Sequence, residues 1–202
     1  MNYVSNYSME VQRKMKNNTY KKYVAPIVVL VGICLVVTAA LAFTYGVADP
    51  IIKANEKKAA DEARQELLAE ADGFKAYDGE LYKSNDGKVE VAEYYIADNG
   101  AGAVVTVNTK SFGGTLVEMI GIDKDGKITG VKVTSHSDTP GLGTKAQAPS
   151  HLGQYKGLDK LESTSAKDDP SINHVTGATV SSNAIHYGVY GALEQFKMGG
   201  VQ

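Results

Sequence analysis

Two segments of this 202-residue chain carry residue types suited to binding a ligand, and both lie in its second half. The first, Ser135–Lys145, reads Ser-His-Ser-Asp-Thr-Pro-Gly-Leu-Gly-Thr-Lys. Its glycines permit backbone turns that let a flat ligand approach the chain closely. A plain glycine-rich loop after a strand has the same composition, so composition alone leaves both interpretations open.

The second segment, Asn173–Ser182, directly precedes the last predicted helix and reads Asn-His-Val-Thr-Gly-Ala-Thr-Val-Ser-Ser. Small and hydroxyl residues at a helix N-terminus are typical of an anion site, because free N–H groups and the helix dipole favour phosphate. An ordinary Ser/Thr helix cap fits the same residues equally well.

Other kinds of site lack the residues they need. Gly141-Leu142-Gly143 begins like a dinucleotide fingerprint but has no third glycine. The single cysteine, Cys34, excludes Cys₄ zinc sites and iron–sulfur clusters. The gaps between histidines 136, 151, 174 and 186 do not match the spacing of a metal-binding histidine pair on one helix. We therefore expect ordinary core or surface histidines, and neither a metal site nor a catalytic side chain. A net charge of −2 argues against a nucleic-acid partner.

The elements that must position the two segments follow from local patterns. Short turns rich in Gly, Asn and Asp separate four runs of β-branched and aromatic residues, which favours antiparallel hairpins. The runs are Val89–Ala97, Gly102–Asn108, Thr115–Ile122 and Ile128–Thr134. A helix from about Ser182 to Met198 follows, and Gly199-Gly200 end it. Strands followed by a packing helix predict an α+β domain, with an antiparallel or mixed sheet packed by helices.

A transmembrane helix is predicted from Tyr23 to Ala48, where 26 consecutive residues carry no charge. At ~1.5 Å per residue such a helix reaches about 39 Å, enough to cross a ~30 Å hydrocarbon core with some tilt. A cleaved signal peptide is the alternative, but its apolar region spans only about 7–15 residues. We therefore expect an uncleaved anchor in the bilayer of the cell membrane.

The flanking charges predict the orientation of that anchor. Residues 1–22 carry five bases and one acid, whereas 49–72 carry four bases and seven acids. The positive-inside rule then puts segment 1–22 in the cytoplasm. A lead helix, 49–73, is expected to start at Asp49-Pro50 and to act as a spacer before an extracytoplasmic domain, 74–202.

Taken together, the two segments resemble the FMN-binding domain of Rnf complex G subunits. His-Ser-Asp-Thr-Pro-Gly-Leu-Gly followed by Thr-Gly-Ala-Thr carries the resemblance, with the single span, the lead helix and the Phe112-Gly113-Gly114 turn. It covers most of residues 25–200. The C subunit of the sodium-pumping NADH:quinone reductase (Nqr) is similar in both motifs, but it is usually longer.

The resemblance implies that FMN is attached through a phosphoester bond to the final threonine of the motif, here Thr179, by a flavin transferase. It also implies a glycine loop beside the flavin. The cofactor-binding residues implied in this way are Thr179, Thr176, Gly177, Ala178 and Ser182, together with Thr139, Pro140, Gly141, Leu142 and Gly143. Two positions depart from the family, which carries Glu where this chain has Asp138 and Asp where it has Asn173.

The function implied is that of an electron-carrier subunit. The Rnf complex passes electrons between ferredoxin and NAD while translocating Na⁺ or H⁺, so the other Rnf subunits are the implied partners. Two alternatives stay open on the sequence. One is an Nqr C-type subunit, and the other is a membrane-anchored extracytoplasmic binding module without a cofactor.

Overall fold

The computed structural model describes Met9 and residues 20–200. Segment 1–22, whose charges predict the orientation, therefore lies almost wholly outside the described residues. The chain divides into two compact units, one ending at Lys57 and the other starting at Lys58. Each unit is described by itself below.

The first unit is helical. A π-helical turn at Tyr20–Val24 leads into helix α1, Ala25–Leu67, which continues past the end of this unit. The large apolar residues of α1 from Ile27 to Ile52 are exposed. This helix is long and apolar enough to cross a membrane. The predicted helix start at Asp49-Pro50 is wrong, because α1 continues through Pro50. One proline removes a single backbone donor, and the Ala-, Glu- and Lys-rich residues that follow are strong helix formers. The helix also ends at Leu67, earlier than the predicted Gly73.

The second unit is built on a five-stranded antiparallel sheet with the strand order β1-β2-β3-β4-β5. The four predicted strands are confirmed, with ends that differ by three residues at most, and a short strand precedes them. The strands are β1 Phe74–Ala76, β2 Val89–Ala97, β3 Gly102–Ser111, β4 Gly114–Asp123 and β5 Ile128–Ser135. The predicted α+β class is confirmed.

Three short helical pieces follow the sheet before the last long helix. They are a 3₁₀ turn at Gly143–Gln147, helix α2 at Pro149–Leu152 and a 3₁₀ turn at Gly153–Tyr155. The last helix, α3, runs from Thr179 to Gly199 and so begins three residues before the predicted Ser182. Its contacts with β2, β3 and β4 make it the main cover of one sheet face.

Alternating side chains of β3 supply both cores of this unit. Val105 and Val107 belong to the larger core, together with Ile185 and Val189 of α3. Val104 points to the opposite face and belongs to a smaller core with Leu67 of α1. This period-2 alternation is what a central strand covered on both faces requires.

The larger core also contains a buried carboxyl group. Glu118 of β4 has no exposed surface, and neither carboxyl oxygen has a hydrogen-bond partner. Its carboxyl lies against Gly188 of α3, where any side chain would collide with it. Burial raises the pKa of Glu118 well above its ordinary value, so the group is held in its neutral form.

Candidate functional site

Both glycine-containing segments lie at the N-terminus of α3, where they line one groove of about 280 Å³. The turn between β3 and β4 supplies the remaining wall. The lining residues are Phe112, Thr139, Leu142, Gly143, Gly177, Ala178, Thr179, Val180 and Ser181. Two larger depressions, of about 480 and 400 Å³, lie elsewhere on this unit and contain neither segment. The fold therefore joins residues that are far apart in sequence.

Six of the predicted cofactor-binding residues line the groove, namely Thr139, Leu142, Gly143, Gly177, Ala178 and Thr179. The other four, Pro140, Gly141, Thr176 and Ser182, lie outside its lining. Ser182 is fully buried, and its hydroxyl contacts His151 Nε2 at 3.3 Å on the inner side of α3. Contact between any of these residues and a cofactor stays a prediction.

Thr179 occupies the first position of α3 and is exposed. The residue before it, Ala178, is the N-cap and has no side chain that can accept a hydrogen bond from the helix. The first backbone N–H groups of a helix have no partner within the helix. At α3 these donors and the positive end of the helix dipole therefore lie beside the Thr179 hydroxyl, in a position that suits an anion.

Two glycines give the loops the backbone conformation they need. Gly177 has φ +83°, and the Ala178 N–H donates to the Val175 carbonyl at 3.0 Å, which turns the chain into α3. Gly141 has φ +74°, and its N–H donates to Thr144 Oγ1 at 2.9 Å. Side chains disfavour this left-handed region, so both turns select glycine.

Gly143 is needed for a different reason, which is space. A Cβ atom at this position would lie 2.8 Å from Asp138 Cβ and 2.9 Å from Ser181 Oγ. Both distances are shorter than van der Waals contact. The absence of a side chain at Gly143 therefore lets the glycine loop pack directly against the first turn of α3.

Asp138 connects the three walls of the groove. Its carboxylate accepts hydrogen bonds from Ser111 Oγ at 2.7 and 2.8 Å and from the Gly113 N–H at 2.8 Å. The nearby Ser181 hydroxyl also favours the ionised carboxylate. Burial alone would raise the pKa of Asp138, but these hydrogen bonds outweigh burial and hold the pKa below its ordinary value. The residue is thus ionised at neutral pH.

The rim of the groove is apolar and exposed. Phe112, Leu142 and Val180 keep 72%, 48% and 51% of their surface accessible. Each comes from a different wall, namely the β3–β4 turn, the glycine loop and the first turn of α3. An exposed apolar patch beside a cluster of backbone donors suits a ligand with a flat apolar part and an anionic part.

The lining contains no His, Cys, Asp or Glu side chain, so the groove suits ligand binding better than acid–base catalysis. Across the part of the chain that the structure describes, no three such residues come together in a metal-binding group. His151 and His186 are buried in the core, and burial lowers the pKa of both imidazoles.

Three features of the site escape sequence reasoning, namely Val180, Ser181 and the structural role of Asp138. Neighbouring side chains on a helix point about 100° apart, so only one of the adjacent Ser181 and Ser182 can face the groove, and the sequence does not show which. The sequence places Asp138 in the first segment and as a departure from the family, but it does not indicate that this carboxylate joins the β3–β4 turn to the loop. The Phe112-Gly113-Gly114 turn is part of the family resemblance, but the sequence does not indicate that Phe112 lies at the site.

Comparison with known proteins agrees with this geometry. The FMN-binding domain family matches residues 111–194, which contain all three walls of the groove. The G subunit of the ion-translocating oxidoreductase complex of Methanosarcina acetivorans is 32% identical over 178 residues, covering 86% of this chain and 94% of that protein. The G subunit of the Na⁺-translocating ferredoxin:NAD⁺ oxidoreductase complex of Acetobacterium woodii is 31% identical, covering 84% and 89%.

The G subunit of the proton-translocating ferredoxin:NAD⁺ oxidoreductase complex of Clostridium ljungdahlii is 28% identical over 80% of this chain and 85% of that protein. Among solved structures, NqrC of Shewanella oneidensis matches with a TM-score of 0.40 and 18% identity, covering 67% of this chain and 74% of that one. The identity and coverage of the Methanosarcina acetivorans and Acetobacterium woodii proteins establish the relationship. The chain therefore belongs to the family of G subunits of ion-translocating oxidoreductase complexes.

Proposed function

We propose that this chain is the covalent-FMN electron-carrier subunit of a membrane complex that couples electron transfer between ferredoxin and NAD to translocation of Na⁺ or H⁺. Two relatives are named as G subunits of ferredoxin:NAD⁺ oxidoreductase complexes that translocate protons or Na⁺, and a third as the G subunit of an ion-translocating oxidoreductase complex. The observation that carries the proposal is the groove in which both glycine segments meet the uncapped N-terminus of α3. Its partners are then the other subunits of the complex.

The residues of the groove fit FMN. The backbone N–H groups at the start of α3 suit a phosphate, and the apolar rim of Phe112, Leu142 and Val180 suits a flat ring system. When bound, the flavin supplies one- and two-electron redox chemistry, and the protein supplies position and electrostatics. The apolar rim limits access of water to the ring, while Asp138 holds the three walls in register.

Thr179 is the proposed attachment residue, because it is exposed at the helix start and lines the groove. A neutral threonine hydroxyl is a poor nucleophile and needs activation by a separate enzyme, the flavin transferase. The donor must carry FMN as a phosphoanhydride, as a flavin dinucleotide does. The Thr179 Oγ1–P bond then forms, the anhydride P–O bond breaks, a nucleoside monophosphate leaves and the hydroxyl proton passes to a base of the transferase.

The proposed location is the cell membrane, with α1 as a single-pass anchor in the lipid bilayer, the N-terminus in the cytoplasm and Thr179 outside. The base-rich segment 1–22 supports this orientation. Protease added to intact cells should digest the domain that carries Thr179. Digestion only after lysis would contradict the orientation.

Peptide mass spectrometry after co-expression with the transferase tests the proposal directly. We expect an FMN mass increment on the peptide that contains Thr179, and blue-light fluorescence of the protein band on a denaturing gel. Thr179→Ala should abolish both, whereas Thr164→Ala, at an exposed threonine outside both segments and the groove, should keep them. An increment that persists in Thr179→Ala would refute the attachment residue. A native chain without any increment would favour a cofactor-free binding module.

A further inference from the structure

A cluster of polar side chains lies behind the loop that leads to Thr179. Gln154 comes from the 3₁₀ turn at Gly153–Tyr155, and His151 comes from helix α2. Gln154 contacts Asn173, before Thr179, and His151 contacts Ser182, after it. Neither Gln154 nor His151 lines the groove. No sequence motif indicates a positioning role for Gln154 or His151.

The Gln154 side chain binds the backbone of Asn173 in both directions. Its Oε1 accepts the Asn173 N–H at 2.8 Å, and its Nε2 lies 3.5 Å from the Asn173 carbonyl oxygen. One amide group therefore pairs with a residue's donor and acceptor together, as a neighbouring strand would. Asn173 is itself exposed. The contact uses the backbone, so it does not depend on which side chain stands at position 173.

This arrangement fixes the orientation of the Gln154 amide and, through it, the tautomer of His151. Because Oε1 accepts the Asn173 N–H, the NH₂ group faces His151 Nδ1 at 3.1 Å, which favours Nδ1 as the acceptor. The ring proton then lies on Nε2, which donates to Ser182 Oγ at 3.3 Å. The same hydroxyl accepts the Val175 N–H at 3.4 Å.

The tautomer requires a neutral imidazole, and the surroundings favour that form. His151 has 4% of its surface exposed, and burial lowers its pKa. The charges of His186 and His174 lower it further, while the Asn173 backbone raises it. The remaining close group is Tyr155, whose uncharged ring packs edge-on at 6.0 Å. His151 is therefore neutral at pH 7.

We propose that Gln154 and His151 are positioning residues that hold the loop 173–178 in the conformation that presents Thr179 to the flavin transferase. Gln154 holds the loop at Asn173, before Thr179. His151 contacts the Ser182 hydroxyl of α3, after Thr179, and that hydroxyl accepts the Val175 N–H of the loop. A loop tethered on both sides loses less conformational entropy when an enzyme binds it. This inference rests on the proposed flavin attachment at Thr179.

The test measures flavin attachment to the full-length chain in detergent, with purified transferase and flavin dinucleotide. For Gln154→Ala we expect the KM for the protein substrate to rise about tenfold with kcat within about twofold, because transferase binding must then order the loop. Amide hydrogen exchange of Asn173 and Val175 should accelerate in the unmodified variant. Lys156→Ala, an exposed position two residues further on, is the matched control and should behave like the native chain.

Gln154→Glu supplies the conservative comparison. Its carboxylate can still accept the Asn173 N–H but cannot donate to the Asn173 carbonyl, so KM should rise less than in Gln154→Ala. The added charge beside His151 Nδ1 should raise the pKa of His151, which an NMR titration of the ring detects. A contribution to folding alone would not produce this combination.

Two results would overturn the inference, and they are distinguishable. If the native chain acquires flavin while Gln154→Ala has native KM, the positioning role is wrong and the proposed function stands. If the native chain acquires no flavin under any condition, the proposed function and this inference are refuted together.

Discussion

Replacing Asp138 by asparagine removes the charge that joins the three walls of the groove while keeping the side-chain shape. The carboxylate accepts hydrogen bonds from Ser111 and Gly113, and such bonds to a charged group contribute about 1.5–3 kcal/mol each. Asparagine keeps one acceptor oxygen, so part of the network survives. We expect the free energy of unfolding to fall by about 2–4 kcal/mol, a large part of the roughly 5–15 kcal/mol of an ordinary domain.

Urea denaturation of the full-length chain in detergent, followed by tyrosine circular dichroism, measures this difference. Because the folded pKa of Asp138 is depressed, the stability it contributes is present above its ordinary pKa of 3.8 and is lost as the pH falls through the folded value. The gap between the native chain and Asp138→Asn should therefore close below pH 3.8. Asp159→Asn, at an exposed position, is the control. A gap below about 0.5 kcal/mol at pH 7, or one unchanged from pH 6 to pH 3, would refute the reasoning.

Two further predictions concern packing around α3. Gly143→Ala should lower the free energy of unfolding by about 1–3 kcal/mol, because the added Cβ would lie 2.8 Å from Asp138 Cβ. An unchanged melting temperature would contradict this close approach of the loop to its neighbours. Burial raises the pKa of Glu118, so its contribution to the free energy of unfolding is fully present below pH 4.5, where the group is neutral in both states. The free energy of unfolding should then fall by about 1.4 kcal/mol per pH unit as the pH rises toward the folded pKa. Glu118→Gln should lack that decline, and parallel stability–pH curves for the two chains would show that Glu118 ionises freely in the fold.

The strands could be predicted because their determinants are local. The turn Asp123–Gly126, for example, joins β4 to β5, and its Asp123 carboxylate accepts the Asp125 and Lys127 N–H groups. A pattern confined to a few consecutive residues fixes both the turn and the pairing of its two strands. The grouping of the two glycine segments, in contrast, came from family resemblance, since nothing local relates residue 143 to residue 181.

Some positions are decided by tertiary structure and not by local sequence patterns. Pro50 is typical of a helix start, but it also lies within α1, where the neighbouring residues outweigh one lost hydrogen bond. Ser182 has the residue type of a phosphate ligand, yet it faces His151 in the core while Ser181 faces the groove. Composition cannot distinguish adjacent serines, because the rotation of α3 about its axis is set by core residues such as Ile185 and Val189.

Ala178 is the position where local preference and the proposed function can be compared most directly. Alanine at an N-cap costs a helix about 0.5–2 kcal/mol relative to serine, threonine, aspartate or asparagine, because the first-turn N–H groups lose an acceptor. An acidic or hydroxyl side chain at Ala178 would satisfy those donors and compete with a phosphoryl group on Thr179. Local rules are expected to fail at functional sites, and here the missing cap leaves the helix terminus open to the phosphate that the following residue is proposed to carry.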